Sequence, residues 1–367
     1  MPRSPLRRSN LASQSMKLTP ICSKREKLRA VTPGISAQEY ADRRAKLANQ
    51  LPVNGIAVIV ASDVKYRSDA AFYDFHQSSD FFYVTGFNEP DAVAVIENTG
   101  HGEDNYIFHL FVRPKDAKAE LWEGARSGVQ AALDVFNADE ARSIKDLHQF
   151  LPDMVSTASE VYLDSSPNVD SLGILSKLLG NGSSKSEKLS ALLDRALLKP
   201  LRPILNGLRA FKSQGEVTNM RSAGQASGRA ITTAMKQSHL GEKELAAFLE
   251  YQFKLNGCDA PAYVPVVAGG KNALSIHYVR NDDVLRDNQL VLVDAGGEFG
   301  GYITDITRSW PINGQFSSAQ KDLEDAGVSL DKLHEVAENG LRDQLTQLGF
   351  DLSGSVSPHE FGKSRLL

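Results

Sequence analysis

Cysteine is scarce: Cys22 and Cys258 are the only two in 367 residues. Two thiols so far apart build neither a disulfide framework nor a zinc knuckle, and both read as incidental thiols of an intracellular chain. Long apolar runs are missing too. The best is GIAVIVA, Gly55–Ala61, far short of the roughly 18 residues a membrane span needs. An excess of positive charge is also lacking, and a net charge of −4 argues against a nucleic-acid binder, which presents a basic face. What is left is 41% apolar and 23% charged, the balance of a globular protein, at a length that suits two domains.

One absence is local. No acidic residue precedes Glu26, whereas Arg3, Arg7, Arg8, Lys17, Lys24 and Arg25 are basic and serine recurs. That composition fits a mitochondrial transit peptide. Pro2, Pro5 and Pro20 oppose the amphipathic helix such peptides form, so a plain basic tail is the competing reading.

From Thr32 the chain patterns as a fold. Ser36 is placed to cap a helix carrying Tyr40, Arg43, Arg44 and Leu47. GIAVIVAS, DFFYVTGF, DAVAVIEN, NYIFHLFVRP and EVYLD read as strands, and DEARSIKDLHQFLPDM as an amphipathic helix. Strands alternating with helices predict an α/β domain over 32–180. The polar stretch from Gly180 to Lys188 predicts a linker over 181–200. Beyond it, two helical patterns run through SQGEVTNMRSAGQASGRAITTAMKQ and GEKELAAFLEYQFKLNG. Strands follow at YVPVVAGG, LVLVD and YITDITRSW, and a last long helix starts near Ala319.

Asp294 and Asp305 sit within two of those apolar strands. If a hairpin closes on Glu298–Gly301, Gly297 faces Tyr302 and Asp294 faces Asp305. Opposed Cβ atoms lie about 4.5–5.5 Å apart, where like charges repel. Such a pair is explained by a cation between the carboxylates, by one of them staying protonated, or by hydrogen bonds at a turn or edge. Two divalent ions about 3.5–4 Å apart would fit, and an all-oxygen donor set suits manganese or magnesium more than zinc. Upstream, His277 lies between a glycine turn and the first aspartate strand. It is either a structural histidine or one that bonds a substrate carbonyl or moves a proton.

These residues form a recognisable series. GGKNALSIHYVRNDD and LVLVDAGGEFGGYITDITRSWPINGQF resemble aminopeptidase P of the pita-bread metallopeptidase family, in the same order and spacing. AFYDFHQSSDFFYVTGFNEPDAV and LFVRPKDAKAELWEGARSG resemble its first domain, and TPGISAQEYADRRAKL its mitochondrial, intermediate-cleaving subgroup. The resemblance spans roughly residues 30–325. It implies an α/β N-terminal domain followed by an α+β pita-bread domain over 201–362, and it favours the transit-peptide reading of 1–31 and a mitochondrial over a cytoplasmic location. The implied activity is removal of one N-terminal residue from a peptide or protein, typically ahead of proline, and trimming of imported precursors. Asp294 and Asp305 would be metal ligands, the second bridging two divalent ions, most simply Mn2+. His277 and His359 would contact substrate. Homo-oligomers are common in the family, though nothing in this chain fixes a number.

The resemblance breaks at the end. The family's next motif, PHHxGHxLGxxVHD, carries a ligand histidine, and two ligand glutamates follow it. Here SVSPHEFGKSRLL puts Lys363 at the ligand position, and a lysine repels metals rather than binding them. Two of five ligands remain, so the expectation is an incomplete pita-bread domain that binds metal weakly and hydrolyses little. Gly362-Lys363-Ser364 can be encoded by bases containing GTAAGT, a consensus splice donor, and residues 363–367 therefore read as an aberrant tail. A non-catalytic pita-bread binding module and a prolidase-type dipeptidase are the alternatives.

Overall fold

The computed structural model describes residues 30–100, 105–166, 169–179, 184–193, 198–318, 320, 321 and 339. The basic N-terminal segment, most of the expected last helix, His359 and the tail from Lys363 lie outside the described residues. The chain divides into two compact units. One takes residues up to Ala223 together with Glu298–Ile303, and the other takes Gly224–Gly297 and the chain from Thr304 onward.

The first unit is built on a six-stranded sheet, in the order Leu198–Lys199, Val161–Tyr162, Ile56–Val60, Val93–Asn98, Tyr106–Val112, Glu140–Ser143. Ile56–Val60 is parallel to Val161–Tyr162 and antiparallel to Val93–Asn98. Its five residues are all buried because both faces are covered, which is why this strand reads as an unbroken apolar run. Ala57, Ile59, Ala94 and Ile96 pack with Leu47 and Phe81 on one face. Ile56, Val58, Val93 and Val95 pack with Leu147, Leu151 and Val155 on the other.

Three elements here differ from the sequence reading. DFFYVTGF forms a helix, Ser79–Thr85, not a strand. Ser78 caps it by accepting from the Phe81 amide, Gly86 ends it at φ +69°, and Phe81 and Val84 share its buried side. Those capping residues outweigh the β propensity of the aromatics. The expected linker is largely structured: Ser184–Leu193 is a helix, with Leu189 and Leu193 buried against the Leu147–Val155 face, and Leu198–Lys199 joins the sheet. Finally, Glu140–Ser143 is an edge strand ahead of the helix Leu147–Thr157, where one longer helix was expected.

In the second unit, Val266–Gly269, Leu290–Ala295 and Ile306–Pro311 form an antiparallel sheet with Leu290–Ala295 central. The helix Glu242–Leu255 lays Leu245, Leu249 and Phe253 into the same core as Val267, Val293 and Ala295. The longer helix, Gln214–Met235, contributes Ala226, Ala230, Ile231 and Ala234 to that core, while Met220 and Met235 stay exposed. Its buried stripe is thus made mostly of alanines, which allows a close approach.

Gly86 tests the capping argument. A Cβ there would meet the Tyr40 ring at 2.8 Å, on a backbone already at φ +69°. Gly86→Ala is expected to destabilise the first unit by about 1–3 kcal/mol, read as a shifted urea midpoint; an unchanged midpoint would reject it.

Candidate metal centre

Leu290–Ala295 alternates as a half-buried strand must. Val291, Val293 and Ala295 point into the core, and Leu290, Leu292 and Asp294 take the other face. Its neighbours in register are Val266 on one side and Thr307 on the other, so Asp294 faces Thr307 and not Asp305. The reason lies at the hairpin tip. Phe299 pairs with Tyr302, which leaves a two-residue turn, Gly300-Gly301, with both residues at positive φ (59° and 83°). Such turns match the twist of antiparallel strands better than a four-residue closure does. The register therefore moves by two residues. Because side chains alternate with a period of two, that shift leaves Asp305 on the same face as Asp294, as a diagonal rather than a direct neighbour.

Asp305 lies in a gap between Tyr302–Ile303 and Ile306–Pro311. Gly296 stands opposite that gap, and a Cβ on it would fall 1.8 Å from the Thr304 carbonyl oxygen, so only glycine fits. Side chains stitch the break closed. Ser227 Oγ accepts from the Gly297 amide at 2.9 Å and lies 2.8 Å from Thr304 Oγ1. The Gly296 carbonyl accepts from the Ala262 amide at 2.9 Å, which fixes the backbone beside Tyr263.

Tyr263 joins the two aspartates. Its hydroxyl lies 2.5 Å from Asp294 Oδ1 and 3.1 Å from Asp305 Oδ1. A phenol carries one proton, so it donates fully to one carboxylate at a time and cannot neutralise either. Burial, and then the two carboxylates, push the Tyr263 phenol pKa well above its ordinary value, so it stays a donor across the physiological range. No ion pair reaches Asp294 or Asp305 among the described residues, and no third His, Cys, Asp or Glu completes a metal cluster with them there. The site is more open than the strand pattern suggested: Asp294 is half-buried and Asp305 exposed.

His277 is exposed, on the segment that follows the short 3-10 turn Gly270–Leu274, and does not join the aspartate pair. The structure thus brings together the two sequence-predicted metal ligands, leaves His277 on a separate exposed segment, and does not describe His359. Tyr263 was missed. Its only signal was an aromatic just ahead of the strand that pairs with Asp294, a pattern shared by many core tyrosines.

The second half of the chain matches the model of metallopeptidase family M24 over residues 218–353, and the first half matches the aminopeptidase P N-terminal domain over 40–162. Intermediate cleaving peptidase 55 of Saccharomyces cerevisiae is 40% identical over 357 residues, covering 90% of this chain and 70% of that protein. Xaa-Pro aminopeptidase 3 of Homo sapiens is 32% identical, with coverage of 90% and 71%. Among solved structures, S. cerevisiae Icp55 superposes with a TM-score of 0.70 at 39% identity, covering 88% of this chain and 76% of that one. The zinc-substituted aminopeptidase P of E. coli in complex with product gives 0.70 at 34% identity, with coverage of 79% and 66%.

Two diagonal carboxylates sharing one donor make a distinctive prediction. In metal-free protein, Asp305→Asn is expected to be neutral or to stabilise by up to about 1 kcal/mol, because it removes like-charge repulsion. Thermal unfolding in chelator checks this. A clear loss of stability would mean that Asp305 is a structural carboxylate.

Proposed function

The chain belongs to metallopeptidase family M24 and carries an aminopeptidase P N-terminal domain, and from that premise we propose that it is a metal-dependent aminopeptidase that removes a single N-terminal residue, typically ahead of proline. The observation that carries the reading is the pair Asp294 and Asp305, held on one face by the two-glycine turn and joined by one tyrosine hydroxyl. These residues fit a divalent metal: converging hard oxygen donors, no cation paired with them among the described residues, and a hydroxyl that compensates them only in part. Asp294 and Asp305 would hold the metal, with manganese favoured over zinc by the all-oxygen donors. When bound, a divalent ion there supplies Lewis acidity toward the scissile carbonyl and activates water.

The chain's own residues set the rest. Tyr263 fixes the orientation of both carboxylates. In this reading His277, on its exposed loop, bonds the peptide near the scissile carbonyl through either ring nitrogen. The acid-free basic segment before Glu26 and the likeness to intermediate cleaving peptidase 55 support a mitochondrial setting, with imported precursors as substrates.

Turnover should climb with metal concentration. Incubated with an Xaa-Pro-Xaa tripeptide and millimolar Mn2+, the protein is expected to release only the first residue. Asp294→Asn and Asp305→Asn should each lower the rate at least 100-fold. Cleavage that ignores chelator, or that falls at an internal bond, would reject the reading. Hydrolysis of Xaa-Pro dipeptides alone would indicate a prolidase-type enzyme, and binding without cleavage at any metal level a non-catalytic module.

A further inference from the structure

Glu242, at the start of the helix Glu242–Leu255, is fully buried at 0% exposure. A buried carboxylate is costly unless its lone pairs are filled, and here four donors fill them. Oε1 accepts from the Gly269 amide at 2.8 Å and from Asn272 Nδ2 at 2.9 Å. Oε2 accepts from the Tyr278 hydroxyl at 2.7 Å and from the Asp283 amide at 2.9 Å. Burial alone would raise its pKa, but the bonds from Asn272, Gly269, Asp283 and Tyr278 outweigh it and hold the carboxyl below its ordinary value. Glu242 is therefore an ion at neutral pH, with no ion-pair partner among the described residues.

All four donors come from one excursion of the chain. Gly269 and Asp283 mark where it leaves and rejoins the second unit's core, and Asn272 and Tyr278 lie inside it, with His277 immediately before Tyr278. The tip gains nothing from apolar packing, since Leu274 is 88% and Ile276 84% exposed. Asn281 secures only the returning limb, with its side chain bonded to the Pro265 carbonyl and the Val267 amide. The bond that lies closest in sequence to His277 is the one from Tyr278 to Glu242.

We propose that Glu242 is a positioning residue for His277: its carboxylate clamps both ends and the interior of the Gly269–Asp283 loop and thereby sets where the imidazole meets the peptide. This rests on the reading above that His277 contacts substrate. Glu242 sits apart from the aspartate pair, so it acts on the histidine and leaves Asp294 and Asp305 in place. Glu242→Gln keeps one acceptor oxygen but turns the other into a donor facing the donors on that side. Tyr278→Phe removes the hydroxyl that bonds Glu242, together with its longer contacts to Asn272 (3.2 Å) and Asp282 (3.4 Å), leaves the other three donors to Glu242 in place, and guards against simple misfolding.

The test is hydrogen–deuterium exchange on the full chain, read alongside tripeptide hydrolysis with Mn2+. In Glu242→Gln, amides over 274–280 should exchange at least tenfold faster, and somewhat faster in Tyr278→Phe, while Leu290–Ala295 stays protected as in wild type. Glu242→Gln should lower kcat with little change in KM, by a factor close to that of His277→Ala, and the double variant should be no worse than His277→Ala alone. Unchanged exchange over 274–280 in both variants would overturn the proposal, as would losses that multiply in the double variant. Full activity in His277→Ala would defeat it at its premise, and that single variant separates the failure from any fault in the clamp.

Discussion

Two carboxylates on one sheet face share a single hydrogen-bond donor, and the second unit is arranged around that shortage. Asp294 and Asp305 repel each other, and the Tyr263 hydroxyl offers one proton to both. The pair persists because backbone geometry holds it: the strand Leu290–Ala295 is fixed by a buried alternate face, and Asp305 by the stitched gap around Gly296, Ser227 and Thr304. A surface turn could rotate the two charges apart. Here the direction of Asp294 is set by a strand whose opposite face is core, and that of Asp305 by the stitched gap beside it, so repulsion is stored rather than relieved. Stored repulsion of this kind is relieved most effectively by a cation between the charges.

The turn residues matter as much as the acids. Gly300 and Gly301, both at positive φ, let the hairpin close in two residues. Closing in four would have placed the aspartates directly opposite, at the shortest cross-strand distance. The observed diagonal leaves more room between the carboxylates while keeping both on one face. A slip of one residue, in contrast, would send one aspartate to the opposite face of the sheet. Register here is a chemical variable, and it is set at the glycines rather than at the acids.

Much of this was legible in the sequence, for physical reasons that differ by element. The buried strand Ile56–Val60 announces itself because a strand covered on both faces must be apolar throughout. Asp294 and Asp305 stand out because charge inside apolar strands needs a cause. The helix Ser79–Thr85 was misread because its aromatic residues carry β propensity, and the deciding features were single capping residues at each end. The segment after Gly180 was misread because serines hid Leu189 and Leu193, which have a core to bury in only once the sheet exists. Tyr263 was invisible for a similar reason: its role depends on two carboxylates reaching it from positions 31 and 42 residues away. Spacing along the chain reports faces and periods, and it does not report which donor arrives from elsewhere.

The same accounting separates structural acids from those awaiting a ligand. Glu216, 3% exposed, accepts from the Ser213 amide and the Tyr302 hydroxyl and has Arg43 at 3.6 Å. Glu242 has no cation but collects four donors. Both are compensated within the protein, by opposite charge in one case and by dipoles in the other, and both can be buried for that reason. Asp294 and Asp305 are less buried yet worse served, with two negative charges and one shared proton between them. Exposure alone would rank Glu242 as the most unusual acid among the described residues. Counting donors against charge reverses that order: the best-buried carboxylate is the one with nothing left to bind, and the half-exposed pair is where binding capacity remains.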